Sequence, residues 1–357
     1  MQTINVNGYD MAYLDIGQGA GDGPPLVCVH GSLCDFRIWS SVLGPLTRKH
    51  RVIAPSLRHF FPDHWDGFGD TYSIAQHVDD VVGFIEKLDI RPVDLMGHSR
   101  GGHICFRVAQ RRPDLLRKLI LAEPGGELDA TLDPAYKPGP SPLAARIAAS
   151  AEVIAKGDID GGLQIFLDAL EGPGAWKRLP ATPKQLLRDN ATTLIGQMRD
   201  QRPPFSKADA EAIRTPTLFI GGANTKGTLP KVLHALATNV KGSRIEMIPN
   251  TTHPMFEQAP QKFCEVVLEF LAASKRRPVI SDPAATRRPN RRAAGWPENS
   301  RHVGPSPSTA RRRGSPRAPP GKPGAHHPSG VPDRQPAPRR TAPTVHVASR
   351  STHPRAR

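Results

Sequence analysis

Short apolar runs recur along the first 274 residues, and their spacing constrains the fold more than any other feature. They occupy residues 25–29, 52–54, 93–96, 119–121, 217–220 and 245–248. The run at 25–29 is continuous rather than alternating, as expected of a strand buried on both faces, and the others follow it. Helical spacing separates most of them. Ile74, Val78, Val81, Val82 and Ile85 share one face of 74–88, and Phe263, Val266, Val267, Phe270 and Leu271 share one face of 256–271. Strand and helix in alternation predict a mainly parallel sheet covered on both sides, an α/β fold. A hairpin precedes it, because 4–6 and 11–16 flank Asn7-Gly8, a pair suited to the positive φ angles of a tight turn.

Two intervals break this alternation. Between 125 and 213 no strand pattern occurs, whereas 143–156, 163–170 and 184–199 have helical spacing between Pro/Gly-rich breaks. This predicts a helical insertion, 125–213, dividing a core of 1–124 and 214–274. Ligands of open α/β sheets bind at the carboxyl ends of the strands, so an insertion between two strands is placed as a cap or lid. Its apolar residues Ile154, Phe166, Leu170, Trp176, Leu194 and Phe205 are divided between packing and an acyl or aromatic pocket.

The second interval is 275–357. It carries 19 Lys/Arg against 3 Asp/Glu and 16 of the 38 prolines, and it lacks Leu, Phe, Tyr, Met and Cys. Such a segment cannot bury enough apolar surface to offset chain entropy, which predicts a disordered basic tail. The preceding 274 residues balance 29 basic against 30 acidic side chains, so the overall charge of +15 does not argue for a nucleic-acid or membrane partner. The arginine clusters Arg287-Arg288, Arg291-Arg292, Arg311-Arg312-Arg313 and Arg339-Arg340 are accompanied by one aromatic, Trp296. With so little to stack on bases, the tail reads as an appendage rather than a polyanion-binding arm, and its removal is expected to leave activity intact. No window approaches 18 uninterrupted apolar residues, and the first residues lack a basic and apolar leader pattern, so a cytoplasmic location is expected. Cys28, Cys34, Cys105 and Cys264 have neither metal-ligand nor CxxC spacing and are expected to be buried, reduced thiols.

Chemistry enters where the run 93–96 ends. Gly97-His98-Ser99-Arg100-Gly101-Gly102 follows it and opens a helical stretch over 103–110, which is GxSxG in a strand–turn–helix context. Flanking glycines permit a turn too sharp for larger side chains, leaving the hydroxyl of Ser99 exposed at the sheet edge. A serine needs a base to act as a nucleophile. His253, in Thr252-His253-Pro254, lies after the last predicted strand at a strand-to-helix turn and can supply it.

At these residues the chain resembles the α/β-hydrolase family, over about residues 1–274. His30-Gly31-Ser32 is similar to the family's HG oxyanion loop, with Trp39 at its usual later position. His253, followed by Glu257, Pro260 and Phe263, is similar to the loop that carries the family's catalytic histidine. The resemblance implies that Ser99 attacks, that His253 relays the proton, and that the backbone amides of Ser32 and Arg100 form the oxyanion hole. The chain departs from the family at the third triad member. Most members have an Asp shortly after the strand corresponding to 217–220, where this chain has Gly221-Gly222-Ala223-Asn224-Thr225-Lys226. Asn224 could orient an imidazole but cannot balance its charge. Glu123, at the end of the run 119–121, is therefore read as the acid, as in branches of the family that draw it from that strand end. Glu127 and Asp129 are weaker candidates, and Asn224 is the alternative position.

The segment Ser56-Leu57-Arg58-His59-Phe60-Phe61 replaces the family's common Asp-x-Arg-Gly-His-Gly loop, and His59, His64 and Trp65 are candidates either to line a pocket or to pack. His98 reads as structural and His103 as a helix residue. Dehalogenases and epoxide hydrolases of the family use an aspartate nucleophile, so Ser99 favours acyl transfer. The expected function is a serine hydrolase of a small carboxylic ester or related acyl compound, without metal or cofactor. The alternatives are carbon–carbon hydrolysis of a ring-cleavage product and a non-catalytic ligand-binding member of the fold.

Overall fold

The computed structural model describes residues 1–273 except Asp22 and Pro138. The expectations for 275–357 lie outside the described residues. Eight strands form one sheet: β1 (Gln2–Val6), β2 (Tyr9–Ile16), β3 (Leu26–Val29), β4 (Val52–Pro55), β5 (Val93–His98), β6 (Leu116–Ala122), β7 (Thr217–Gly222) and β8 (Arg244–Ile248). Their order is β1-β2-β4-β3-β5-β6-β7-β8. The hairpin β1–β2 turns at Asn7 and Gly8, both at positive φ, and β2 pairs antiparallel with β4. All later pairings are parallel.

The core helices are α1 (Ser40–Thr47), α2 (Ile74–Lys87) and α3 (Arg100–Arg111). Between β6 and β7 come α4 (Pro142–Ala155), α5 (Ile159–Glu171), α6 (Ala175–Arg178), α7 (Ala181–Asp189), α8 (Thr193–Arg199) and α9 (Lys207–Ala212). The fold closes with α10 (Thr228–Asn239), α11 (Met255–Gln258) and α12 (Pro260–Ala272).

Alternation within the central strands builds two cores. Val93, Leu95, Leu119 and Leu121 face α2, α3 and α10, whereas Met96, Ile120 and Ala122 face α1 and α12. Each fully buried Val or Leu contributes roughly 1.5–3 kcal/mol, so the central strands anchor whatever is attached to their ends. Ser73 starts α2 by accepting the Gln76 N–H at 3.0 Å. At the other end of the fold, Lys118 Nζ donates to the carbonyls of Phe270, Leu271 and Ala273, satisfying the final turn of α12.

Two segments expected to be single helices are divided. The stretch 184–199 forms α7 and α8, interrupted at 190–192, and 256–271 forms α11 and α12, separated where Pro260 begins the second helix. Proline is tolerated in a first turn but cannot continue the hydrogen-bond ladder of a preceding helix. The insertion contains one strand-like contact among the described residues, a bridge between Leu128 and Phe205 near its base. All four cysteines are buried and free. No helix among the described residues is long and apolar enough to cross a membrane.

Candidate active site

Ser99 stands between β5 and α3 with φ 52° and ψ −120°, a conformation that costs a non-glycine residue about 1–3 kcal/mol. Its surroundings hold it there. The Ser99 N–H donates to Ala122 O at the end of β6, and Ser99 O accepts from the amides of Gly125 and His103. Gly101 permits the turn, since a Cβ there would lie 2.3 Å from the carbonyl oxygen of Val29. At Gly31 a Cβ would come within 3.0 Å of the Ser99 Cβ, which places the loop after β3 against the candidate nucleophile. His30 fixes that loop: its Nε2 accepts the Leu57 N–H and its Nδ1–H donates to Gly31 O. Burial pushes the His30 pKa down to about 4, so the ring remains neutral.

Glu123 ends the adjacent strand and is fully buried. Its Oε1 accepts the Gly222 N–H at 2.9 Å, and its Oε2 accepts from His253 Nδ1 at 2.7 Å. A carboxylate can only accept, so Nδ1–H is the donor in this bond. The loop bearing His253 is held from three directions. His98 Nε2–H donates to the His253 carbonyl at 3.2 Å, and the two rings lie 4.3 Å apart. Asn224 N–H donates to Thr251 O, and Thr252 Oγ–H donates to Glu171 at the end of α5.

These contacts join the candidate acid and base and bring them beside the residue preceding Ser99. Among the described residues Ser99 Oγ forms no hydrogen bond, so the serine-to-imidazole link is not closed. Such links are often long without substrate and tighten in the reacting complex. Arg100 opens α3, where the first amides have no acceptor within the helix. Ser32, Ser99 and Arg100 line one small cavity of about 40 Å³ with Phe166, Leu170, Gln197 and Arg202. Outside it lies a groove of about 730 Å³, and Leu143, Leu170 and Leu229 border both spaces.

Several other candidates are placed elsewhere. Asn224 is exposed and its side chain makes no hydrogen bond to His253 among the described residues. Glu127 lines the cavity and accepts the Ser141 N–H, while Asp129 accepts from Thr131 within its own turn. His59 stacks on Trp65 with ring centroids 4.1 Å apart and does not line the cavity, nor does His64. Packing thus claims the segment that replaces the common loop. Trp39 packs on Phe256, and His103 Nδ1–H donates to Gly125 O from within α3. Of the apolar residues in the insertion, Ile154, Phe166, Trp176 and Leu194 form its own core, whereas Phe205 joins the main core against Phe106 and His103.

Sequence reasoning missed Gln197, Asp200, Arg202 and the Gly222 amide. Gln197 Oε1 accepts from Ser32 Oγ at 2.6 Å, and Asp200 pairs with the buried Arg100 guanidinium at 2.8 Å. The one local signal was the break after Arg199, which delivers Asp200 and Arg202 toward the sheet edge.

Known proteins resemble this chain in sequence and fold. Residues 26–266 match the family described as the alpha/beta hydrolase family. A soluble epoxide hydrolase of Corynebacterium sp. is 26% identical over 295 residues, covering 75% of this chain and 95% of its own. A 2-hydroxymuconate semialdehyde hydrolase of Pseudomonas sp. is 34% identical over 115 residues, 30% of this chain and 38% of its own. Among solved structures, a thermophilic esterase of Thermogutta terrifontis superposes with a TM-score of 0.61 at 22% identity, covering 76% of this chain and 97% of that one. The matched span takes in the elbow, the loop after β3 and the histidine loop, and the chain belongs to the alpha/beta hydrolase family.

Proposed function

We propose that this chain is a serine hydrolase of a small carboxylic ester or related acyl compound. Ser99 attacks the carbonyl while His253 Nε2 takes its proton, and Glu123 orients the ring and balances the imidazolium. The amides of Ser32 and Arg100 receive the developing oxyanion, an effect worth about 2.7–4 kcal/mol per donor. His253 returns the proton to the leaving alcohol, and water then cleaves the acyl-serine by the reverse order of steps. The helical insertion acts as the cap that bounds the acyl site. The observation carrying this reading is the buried Glu123 carboxylate bonded to both Gly222 N and His253 Nδ1.

A serine also argues against epoxide opening. It would form an ether, which water does not cleave, whereas a carboxylate nucleophile forms a hydrolysable ester. The likeness to the 2-hydroxymuconate semialdehyde hydrolase supports carbon–carbon hydrolysis as the second reading. A panel of short aryl esters and ring-cleavage products separates the two. The expected result is ester turnover that vanishes in Ser99→Ala. Turnover of ring-cleavage products alone would favour the second reading, and turnover of neither would favour a ligand-binding role.

A further inference from the structure

We infer that Arg202 is an anion-binding residue and that the acyl group taken by this site carries a carboxylate; this rests on the serine-hydrolase reading. Arg202 lies on the connection between α8 and α9 and lines the same small cavity as Ser99, Ser32 and Gln197. Its backbone N–H donates to Asp200 O, but among the described residues its guanidinium makes no hydrogen bond and no ion pair. Two carboxylates, Asp200 and Glu127, are near enough to favour its charge, but neither forms an ion pair or hydrogen bond with its guanidinium. Asp200 pairs with Arg100, both side chains being almost wholly buried, and Glu127 accepts the Ser141 N–H at 3.3 Å.

Arg202 is half-buried, and a guanidinium partly withdrawn from water favours an anion that compensates it. Burial, and secondarily the charge of Arg100, hold the Arg202 pKa below its ordinary value. Beside it, Gln197 uses Oε1 to accept from Ser32, and its amide N–H groups have no acceptor among the described residues. A planar cation and an amide donor thus face one cavity with Ser99, a donor set suited to a carboxylate.

The volume limits the chain length. About 40 Å³ accommodates roughly three water-sized centres at ~10–15 Å³ each, so the enclosed part of the substrate is short. The alcohol part would leave past Leu143, Leu170 and Leu229 into the outer groove. The substrate class is therefore a half-ester of a short dicarboxylic acid. Ser99 Oγ adds to its ester carbonyl, the alcohol departs with the proton held by His253, and water releases the diacid, so half-ester and water give diacid and alcohol.

The test compares ethyl hydrogen succinate with ethyl 4-methylpentanoate, in which an isopropyl group replaces the carboxylate at similar shape. Wild type is expected to prefer the half-ester at least tenfold in kcat/KM. Arg202→Gln is expected to lower that ratio at least tenfold, and Arg202→Lys to fall between. A second arm needs no turnover: succinate should raise the Tm of Ser99→Ala, and the rise should be lost in Ser99→Ala/Arg202→Gln. If neither ester is cleaved and Ser99 resists a fluorophosphonate, the hydrolase reading fails and the succinate shift alone decides the anion site. Equal use of both esters, or a succinate shift that is absent or survives Arg202→Gln, overturns the proposal. Glu127→Gln isolates the remaining partner, since the proposal expects a larger succinate shift and a destabilised protein with a smaller one would contradict it.

Discussion

The carboxyl edge of the sheet and the helical insertion solve different physical problems. At the sheet edge, Ser99 and Glu123 follow the buried strands β5 and β6 and His253 follows the more exposed β8, and each is fixed by bonds from a neighbouring strand or loop. Ser99 at φ 52° and Glu123 at φ 40° keep unfavourable backbone angles because the surrounding sheet over-determines them. The insertion has a small core built on Leu163, Phe166, Trp176 and Leu194, closed by Leu33 from the loop after β3, and α7 contains no buried residue. It is attached by Phe205, Ala210 and Ile213 in the main core and by polar links: Asn190 bonds Asp35 and the Phe61 amide, and Arg37 bridges Asp35 and Asp189. On the proposed serine-hydrolase reading, the contrast gives reaction geometry to the sheet and pocket shape to the insertion.

Substitution on the two sides tests that division. Glu123→Gln should lower kcat by about 10⁴, the scale seen for loss of charge at a triad acid in a serine protease. Asn224→Ala should change it less than twofold, and steady-state kinetics that reversed this order would move the acid to the other strand.

Acid is the next largest perturbation. His30, His77, His98 and His103 are buried, and burial lowers each pKa, to about 4 for His30. A depressed histidine contributes stability that is fully present above its unfolded pKa of about 6.5 and lost as pH falls toward the folded value. His30 alone amounts to about 3 kcal/mol on this scale. Thermal unfolding should therefore show a flat Tm above pH 7 and a decline from about 6.5 to 4. A Tm unchanged at pH 4.5 would contradict this burial pattern.

Within the insertion, Asn190→Ala should cost about 1–3 kcal/mol, because it strands the Phe61 amide and weakens the hold on buried Asp35. Denaturant unfolding would measure it. The sheet-borne nucleophile should keep its reactivity in the protein that remains folded. Leu170→Ala has the smallest expected effect, shifting relative kcat/KM toward bulkier alcohol parts by roughly tenfold, the low end of what a methylene in an apolar pocket discriminates. A uniform loss across alcohol parts would instead give Leu170 a structural role.

Legibility follows the same boundary. The elbow, the histidine loop and Glu123 are legible as candidates because each follows a short apolar run, where a strand end specifies both position and direction. Glu123 could be selected over Asn224 because only one of them can carry charge. Gln197, Asp200 and Arg202 could not be selected, since they lie 98 or more positions from Ser99; Gln197 and Arg202 meet the cavity, and Asp200 meets Arg100, only through the packing of α8 and its exit. The break between α7 and α8 was hidden because the apolar spacing of 184–199 is shared by one long helix and two short ones. His59 and Trp65 were open in sequence for a related reason: an aromatic cluster has no period that separates packing from pocket lining.

The most direct measurement is intact-protein and peptide mass spectrometry after reaction with a fluorophosphonate, with the rate compared in wild type and Glu123→Gln. The account predicts a single phosphonyl adduct on Ser99, formed far more slowly without the carboxylate. A folded protein that gains no adduct, or gains it on another residue, would contradict the account.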